Sequence, residues 1–328
     1  MTQIIRHPGL GLSHPRHSVL ALGNFDGVHR GHAALIRHAR ERAREHARAR
    51  SIPLAVLTFE PHPRSILEPN AKPFRLTPLR VKERELSRLG VELLFVQRFD
   101  RRFAAKSAEA FIEDILVRAI GVSHVVVGYD CNFGHGRRGT PALLKAAAAE
   151  YGYGVTVLDP VCDANSRLYS STEIRALLES GKPREAADQL GRFWEIDGRV
   201  VVGERRGQRL GFPTANLGLD QYLRPAFGVY AVRVSGDGPD DPFAGRTLEG
   251  VANLGLRPTW GGDRPLLEVH LFDCERDLYG RHLRVRLIDY LRPEEKFAGV
   301  ESLRAQIRDD IARAREILAK APEASGLR

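Results

Sequence analysis

Two histidines three residues apart, His29 and His32, close the string Gly23-Asn-Phe-Asp-Gly-Val-His-Arg-Gly-His32. On a helix, that spacing puts both imidazoles on one face of the first turn, where each can donate to a polyphosphate. The string follows an apolar run at 18–22 and precedes an Ala/Arg-rich segment, which is the order strand, glycine turn, helix. A helix N-terminus offers an anion free N–H groups and the positive end of the dipole. Gly27 and Gly31 carry no Cβ, so backbone and ligand can approach closely there.

Other stretches carry chemistry of their own. In Tyr169-Ser-Ser-Thr-Glu-Ile-Arg175, Ser170 and Glu173 have capping-box spacing ahead of Ile174, Leu177 and Leu178. A structural cap explains them, as does a helix N-terminus with hydroxyls and Arg175 turned toward phosphates. In Gly211-Phe-Pro-Thr-Ala-Asn216, Gly211 and Pro213 fix a turn. Thr214 and Asn216 in extended chain point two oxygens the same way, hard ligands of the kind magnesium takes beside a triphosphate. A polar turn before a strand accounts for the same residues. Glu268 lies among Leu267, Val269 and Leu271 but on the opposite face of the strand. It is an outward residue if that face is solvent, and a general base if it borders a pocket. Glu60-Pro-His-Pro-Arg64 ends a strand, where parallel sheets bind ligands, though a proline-stiffened connection reads the same way. Gly134-His-Gly-Arg-Arg-Gly139 matches the G-x-G-x-x-G of nicotinamide-dinucleotide sites, with Asp159 about 20 residues on. The strand before it ends too early for that turn, and two arginines fill it, so it reads as a glycine-rich loop over a ligand.

Positioning these groups takes two modules. Apolar runs at 53–59, 91–96, 122–128 and 155–158 alternate with helical patterns at 79–89, 108–120 and 141–150. This predicts an α/β module, a parallel sheet wrapped by helices, over residues 1–182, with 1–18 as an extended lead-in. From 183 the segments are short and β-rich, at 198–202, 228–234, 251–254, 266–272 and 283–290. Five such strands predict an antiparallel β-barrel over 183–328, with a surface loop at 235–246. Phe297, Val300, Leu303, Ile307, Ile311 and Leu318 repeat at helical spacing, so a terminal helix packs on the barrel and residues beyond 321 fray.

The totals agree with two soluble modules: 328 residues, 43 % apolar and 28 % charged. No stretch has the length of a membrane span or the form of a signal peptide, so the cytoplasm is the expected location and no membrane the expected partner. Cys131, Cys162 and Cys274 are scattered, which argues against a disulfide framework and against structural zinc. The net charge of +9 concentrates at 37–50, where Glu41 and Glu45 alternate with arginines and no aromatic residue interleaves. That is the pattern of a solvated helix face, so phosphate-bearing small molecules are expected rather than nucleic acid.

The opening string, Thr58-Phe-Glu-Pro-His-Pro63, Gly128 with Phe133-Gly134, and Ser170-Ser-Thr-Glu-Ile-Arg175 resemble the adenylyltransferase half of bacterial bifunctional riboflavin kinase/FAD synthetases. That half is a Rossmann-like nucleotidylyltransferase module. The resemblance implies that Gly23, Asn24, Phe25, Asp26 and Gly31 bind ATP, and that His29 and His32 neutralise charge as the FMN phosphate attacks the α-phosphorus. It further implies that Ser170, Ser171, Thr172 and Arg175 hold the triphosphate, and that Pro61, His62, Gly128, Phe133 and Gly134 line the flavin pocket. The chain departs from the family at Cys131-Asn132, where an aromatic followed by Arg is common. Gly211 to Asn216, Gly228-Val-Tyr-Ala231, Asn253-Leu-Gly-Leu-Arg-Pro-Thr259 and the Glu268 strand resemble the riboflavin kinase barrel. There Gly211 and Thr214 would contact ATP, Thr214 and Asn216 would hold Mg²⁺, and Glu268 would take the proton of the ribityl hydroxyl. Gln208 stands where the family often has Arg. Together these imply ATP, Mg²⁺ and flavin substrates and the sequence riboflavin to FMN to FAD. The alternative is a nucleotidylyltransferase for another phosphate ester with a non-catalytic barrel.

Overall fold

A computed structural model describes the chain except residues 1, 9–16, 47–51, 204–206, 208–209, 238–240, 242, 260–261, 275 and 323–328, and omits the side chains of 46, 257–259 and 262–263. Gln208, the arginines beyond 46 and the tail expected to fray therefore lie outside the described residues. The chain forms two compact units, Met1–Lys72 with Thr77–Ser170, and Pro73–Leu76 with Ser171–Arg328.

In the first unit six parallel strands, β1 (Gln3–Arg6), β2 (Val19–Leu22), β3 (Leu54–Glu60), β4 (Leu93–Arg98), β5 (His124–Gly128) and β6 (Gly154–Leu158), stand in the order β1-β4-β3-β2-β5-β6. Strand alternation divides the apolar side chains between two faces. Leu20, Leu57, Phe95 and Val127 join one core, and Val19, Val56, Leu94 and Val126 the other. Helices cover both faces, as all-parallel sheets require. From central β2 the chain moves first to β3 on one side and later to β5 on the other. The crevice at the strands' C-terminal ends, where this reversal occurs, is the ligand-binding end of such sheets. The lead-in predicted as merely extended contributes an edge strand, Gln3–Arg6, with Ile5 buried against β4. The helix predicted over 108–120 begins as Ala108–Phe111 and continues as a wider π-helical stretch, Ile112–Ile120, closed by Gly121 in the left-handed conformation.

The second unit is an antiparallel barrel of β7 (Glu195–Arg199), β8 (Ala215–Gly218), β9 (Gly228–Gly236), β10 (Thr247–Thr259), β11 (Gly262–Leu271) and β12 (His282–Arg292). Their order is β7-β12-β9-β10-β11-β8, and the Val201–Asn216 bridge joins the last strand back toward the first. Six strands replace the five expected. Ala-Asn-Leu-Gly at 215–218, expected only as extended chain after the Gly211–Pro213 turn, pairs with β11 as a strand. The strand expected at 198–202 starts earlier, because Trp194 and Ile196 are core residues, and β9 runs into the segment expected to be loop. The terminal helix, Val300–Lys320, packs Ala314 and Leu318 on Val229, Ala231, Val251 and Ile288. Phe297 precedes that helix, and Val300 points to solvent at 54 % exposure, so the predicted stripe is displaced toward the C-terminus. Arg233, buried on the outer face of β9, donates to the carbonyls of Leu318 and Ala321 and so holds the helix's C-terminal end.

Candidate functional sites

The Gly23–His32 string forms the β2-to-helix turn at the mouth of the crevice. Its backbone is unusual: Phe25, Gly27 and Val28 all lie in the left-handed region, at φ 50°, 92° and 44°. For Val28, with its β-branched side chain, that conformation persists only where the surroundings impose it. A buried set of hydrogen bonds does so. Thr77 donates from its amide to Asp26 Oδ1 at 2.9 Å and accepts from the Gly27 amide at 2.8 Å. Thr58 donates to the Asn24 carbonyl at 3.0 Å and accepts from Lys82 Nζ at 3.0 Å. Lys82 and Thr77 are 0 % and 1 % exposed.

His29 and His32 then cap the Arg30–His46 helix reciprocally. The His29 amide donates to His32 Nδ1 at 3.3 Å, and the His32 amide donates to His29 Nδ1 at 3.4 Å. The rings stack with centroids 3.7 Å apart. Because each Nδ1 accepts, the neutral rings carry their protons on Nε2, and each presents an N–H donor. At Gly31 a Cβ would lie 3.1 Å from the His29 ring and 3.4 Å from Tyr169 Cβ, so the packing of this pair by itself favours a residue without a side chain there. Gly27 is explained by its φ.

The two segments expected to line the flavin pocket meet through aromatic rings. Phe59 packs 6.4 Å from Phe111, and Phe111 packs 5.2 Å from Phe133, with Phe99 and Phe103 completing the cluster. Phe111 lies on the helix predicted over 108–120. Pro61 follows a cis peptide, and buried His62 accepts from the Arg64 amide at Nδ1 and so caps the short Pro63–Leu67 helix. The glycines at 134–139 do not form a dinucleotide turn. Phe133 and Gly139 exchange two backbone hydrogen bonds, and a side chain at Gly139 would strike the Phe133 ring. At Gly134, with φ 70°, a side chain would come within 2.6 Å of the Ala108 backbone. The following helix has its own cap, Thr140. Gly128 opens this loop, Asn132 is exposed and donates to the Asp130 carbonyl, and Cys131 packs partly against the core.

Burial, with the Asp130 charge beside it, pushes the Cys131 thiol up to about 12. Nucleophilic attack needs the thiolate, so at pH 8 Cys131 is nearly inert. With Ellman's reagent at that pH, exposed Cys162 is expected to react first, and Cys131 only after denaturant is added. Peptide mapping of the labelled sites checks this, and rapid labelling of Cys131 in the folded protein contradicts it.

Ser170 ends the first unit, and Ser171, Thr172 and Arg175 open the Ser171–Glu179 helix of the second. Arg175 Nε donates to the Phe74 carbonyl at 2.9 Å, with its guanidinium 5.5 Å from the Phe74 ring centre.

On the barrel, register brings the second set of residues together. Glu268 of β11 pairs with Asn216 of β8 on one side and with Asn253 of β10 on the other. Directly opposed residues of antiparallel strands point to the same face, with Cβ atoms about 5 Å apart. This face is the outer one, because Leu217, Leu254, Leu267 and Val269 fill the core. Glu268 therefore faces away from the core, onto a face that Phe212 and Pro213 border. Phe212 packs its ring 5.6 Å from His270, and the Pro213 carbonyl lies 2.9 Å from His270 Nδ1. A side chain at Gly203 would strike the Asn216 amide. Gly211 takes φ 89° ahead of Thr214. Asn216 is 4 % exposed, and its Oδ1 has no hydrogen-bond partner among the described residues. An orphaned hard oxygen two residues from the Thr214 hydroxyl fits a magnesium-binding position. A second acidic group, Asp197, Asp237 and His282, has its ligand atoms within 4.8 Å of one another, but Arg284 stands opposite Asp197 and 3.9 Å from Asp237 and balances it as an ion-pair network.

Comparison with known proteins agrees with this division. A family model for FAD synthetase matches residues 12–173, and one for riboflavin kinase matches residues 190–318. The chain is 45 % identical over 298 residues to the bifunctional riboflavin kinase/FMN adenylyltransferase of Escherichia coli K12, covering 91 % of this chain and 92 % of that one. Its counterpart from Listeria monocytogenes is 38 % identical over 306 residues, with 92 % and 93 % covered. A crystal structure described as a macrolide-efflux protein from Streptococcus pneumoniae superposes with a TM-score of 0.81 at 33 % identity, covering 95 % of this chain and 98 % of its own. Among the described residues here, no helix is long and apolar enough to cross a membrane.

Proposed function

The chain belongs to the bifunctional riboflavin kinase/FMN adenylyltransferase family, and from that premise we infer how its residues share the two reactions. The enzyme phosphorylates riboflavin with ATP to give FMN, then transfers the adenylyl group of a second ATP to FMN, giving FAD and pyrophosphate.

We assign the first reaction to the barrel. The observation that carries this assignment is the register that sets Glu268 beside Asn216 on a face bordered by Phe212 and Pro213. Glu268 takes the proton of the terminal ribityl hydroxyl as that oxygen attacks the γ-phosphorus of ATP, and ADP leaves. Thr214 and Asn216 would hold Mg²⁺, whose charge offsets that of the triphosphate, and Gly211 leaves room for the nucleotide at the turn. We assign the second reaction to the β2 turn. The FMN phosphate attacks the α-phosphorus, and pyrophosphate departs without a covalent enzyme intermediate. The Nε2–H donors of His29 and His32 bind the charge that develops on the phosphate oxygens, and the backbone of Gly23, Asn24, Phe25, Asp26 and Gly31 holds them to that position. Ser170, Ser171, Thr172 and Arg175 are further phosphate donors on the family likeness. Pro61, His62, Gly128, Phe133 and Gly134 border the flavin, with Phe59 and Phe111 as the apolar wall.

Incubation with riboflavin, ATP and Mg²⁺, followed by chromatography, is the test: FMN and then FAD are expected, and absence of both overturns the reading. The metal assignment has its own measurement. Asn216→Ala is expected to raise the Mg²⁺ concentration for half-maximal FMN formation roughly tenfold, the loss of one ligand oxygen. The Mg²⁺ dependence of FAD formation from FMN stays put. An unchanged titration for the kinase step removes Asn216 from the metal site.

A further inference from the structure

Asn253 completes the row Asn216–Glu268–Asn253, and chemistry settles how its amide is turned. Nδ2 lies 3.1 Å from Glu294 Oε1, and a carboxylate can only accept, so the nitrogen must face Glu294. The carbonyl oxygen is therefore directed away from Glu294, and no donor among the described residues reaches it.

Glu294 is held where it does this. Arg292, two residues earlier, grips Asp310 of the terminal helix through contacts of 2.7, 2.9 and 3.2 Å. Gly255 lies beneath and leaves open the space that the Glu294 carboxylate occupies. The Asn253 amide is thus fixed by a contact to a clamped segment rather than by its own strand. Two acceptors, the Glu268 carboxylate and Asn253 Oδ1, stand as cross-strand neighbours on one face. An ionised phosphate supplies no hydrogen-bond donor to such a pair. A chain bearing adjacent hydroxyls supplies one to each.

Resting on the reading of Glu268 as the base, we propose that Asn253, oriented by Glu294, accepts from a secondary hydroxyl of the ribityl chain and sets the kinase's selectivity for that polyol. Asn253 is then a substrate-positioning residue, and Glu294 acts through it. A site that hydrogen-bonds a substrate hydroxyl disfavours the analogue without it, because the acceptor is left unmet.

The test compares riboflavin with a flavin carrying a 5-hydroxypentyl chain, which keeps the reacting hydroxyl and lacks the secondary ones. In the full-length protein, Asn253→Ala is expected to lower kcat/KM for riboflavin about five- to tenfold, mainly through KM, and to leave the hydroxypentyl flavin and the KM for ATP unchanged. Glu294→Gln, which lets the amide turn over, is expected to move riboflavin the same way by a smaller factor, and it serves if the alanine variant folds poorly. Equal losses for both flavins, or no loss for either, overturn the proposal. If Glu268→Gln phosphorylates riboflavin at the wild-type rate, the base assignment fails instead, and the discrimination between flavins still reports on Asn253.

Discussion

Glu268→Gln is expected to cut FMN formation by about 10²–10⁴-fold while leaving conversion of supplied FMN to FAD near the wild-type rate. The substitution keeps the shape and the outward position of the side chain but removes the group that takes the hydroxyl proton. Glu268 is not part of the barrel core, whose filling comes from Leu217, Leu254, Leu267 and Val269, so the fold has no reason to fail. Quantifying FMN and FAD separately by chromatography, with riboflavin or FMN as the starting flavin, measures both consequences. Loss confined to KM for riboflavin, with kcat retained, contradicts the role of base.

His29→Ala is expected to produce the complementary defect: FAD formation from FMN falls by about 10²–10³-fold, and phosphorylation of riboflavin continues. Two effects add. The Nε2–H donor of His29 is lost, and the His32 amide loses the Nδ1 acceptor that completes the reciprocal cap. His32 also loses its stacking partner, so its ring is no longer held in place. The turn itself is kept by Asp26, Thr58, Thr77 and Lys82, which His29 does not touch in those hydrogen bonds. Thermal unfolding of the variant should therefore shift little, and a protein that lost both activities together would mean that the change had damaged the fold.

The residues named in these two predictions were legible in the sequence for different reasons. The His29–His32 turn is local: strand, glycines, histidine spacing and helix lie within about 30 residues, and each local preference points the same way. The parallel sheet was legible because its strands are apolar on both faces. Glu268 could be placed on a face but not assigned a setting, because what borders that face comes from Phe212 and Pro213, more than 50 residues earlier by chain order. The pieces that escaped are those created by long-range pairing. The Gln3–Arg6 strand mixes polar and apolar residues and becomes a strand only beside β4. The Ala215–Gly218 strand carries turn-like residues and is defined by β11. Thr77 holds the Gly23–His32 turn from a position 50 residues away, with no motif around it. The Asn253–Glu294 contact spans 41 residues and depends on how β12 and β10 wrap about β9. Gly31 was picked out by motif, and the structure adds a packing demand the motif did not reveal, the His29 imidazole beside it.

The central claim is that one chain carries two separable chemistries, with Glu268 serving one and His29 the other. An equimolar mixture of the Glu268→Gln and His29→Ala variants, given riboflavin, ATP and Mg²⁺, tests it in a single chromatographic time course. The prediction is that neither variant alone makes appreciable FAD from riboflavin, whereas the mixture does, with FMN appearing first. FAD made from riboflavin by the Glu268→Gln variant alone, or a mixture as inactive as its parts, would contradict it.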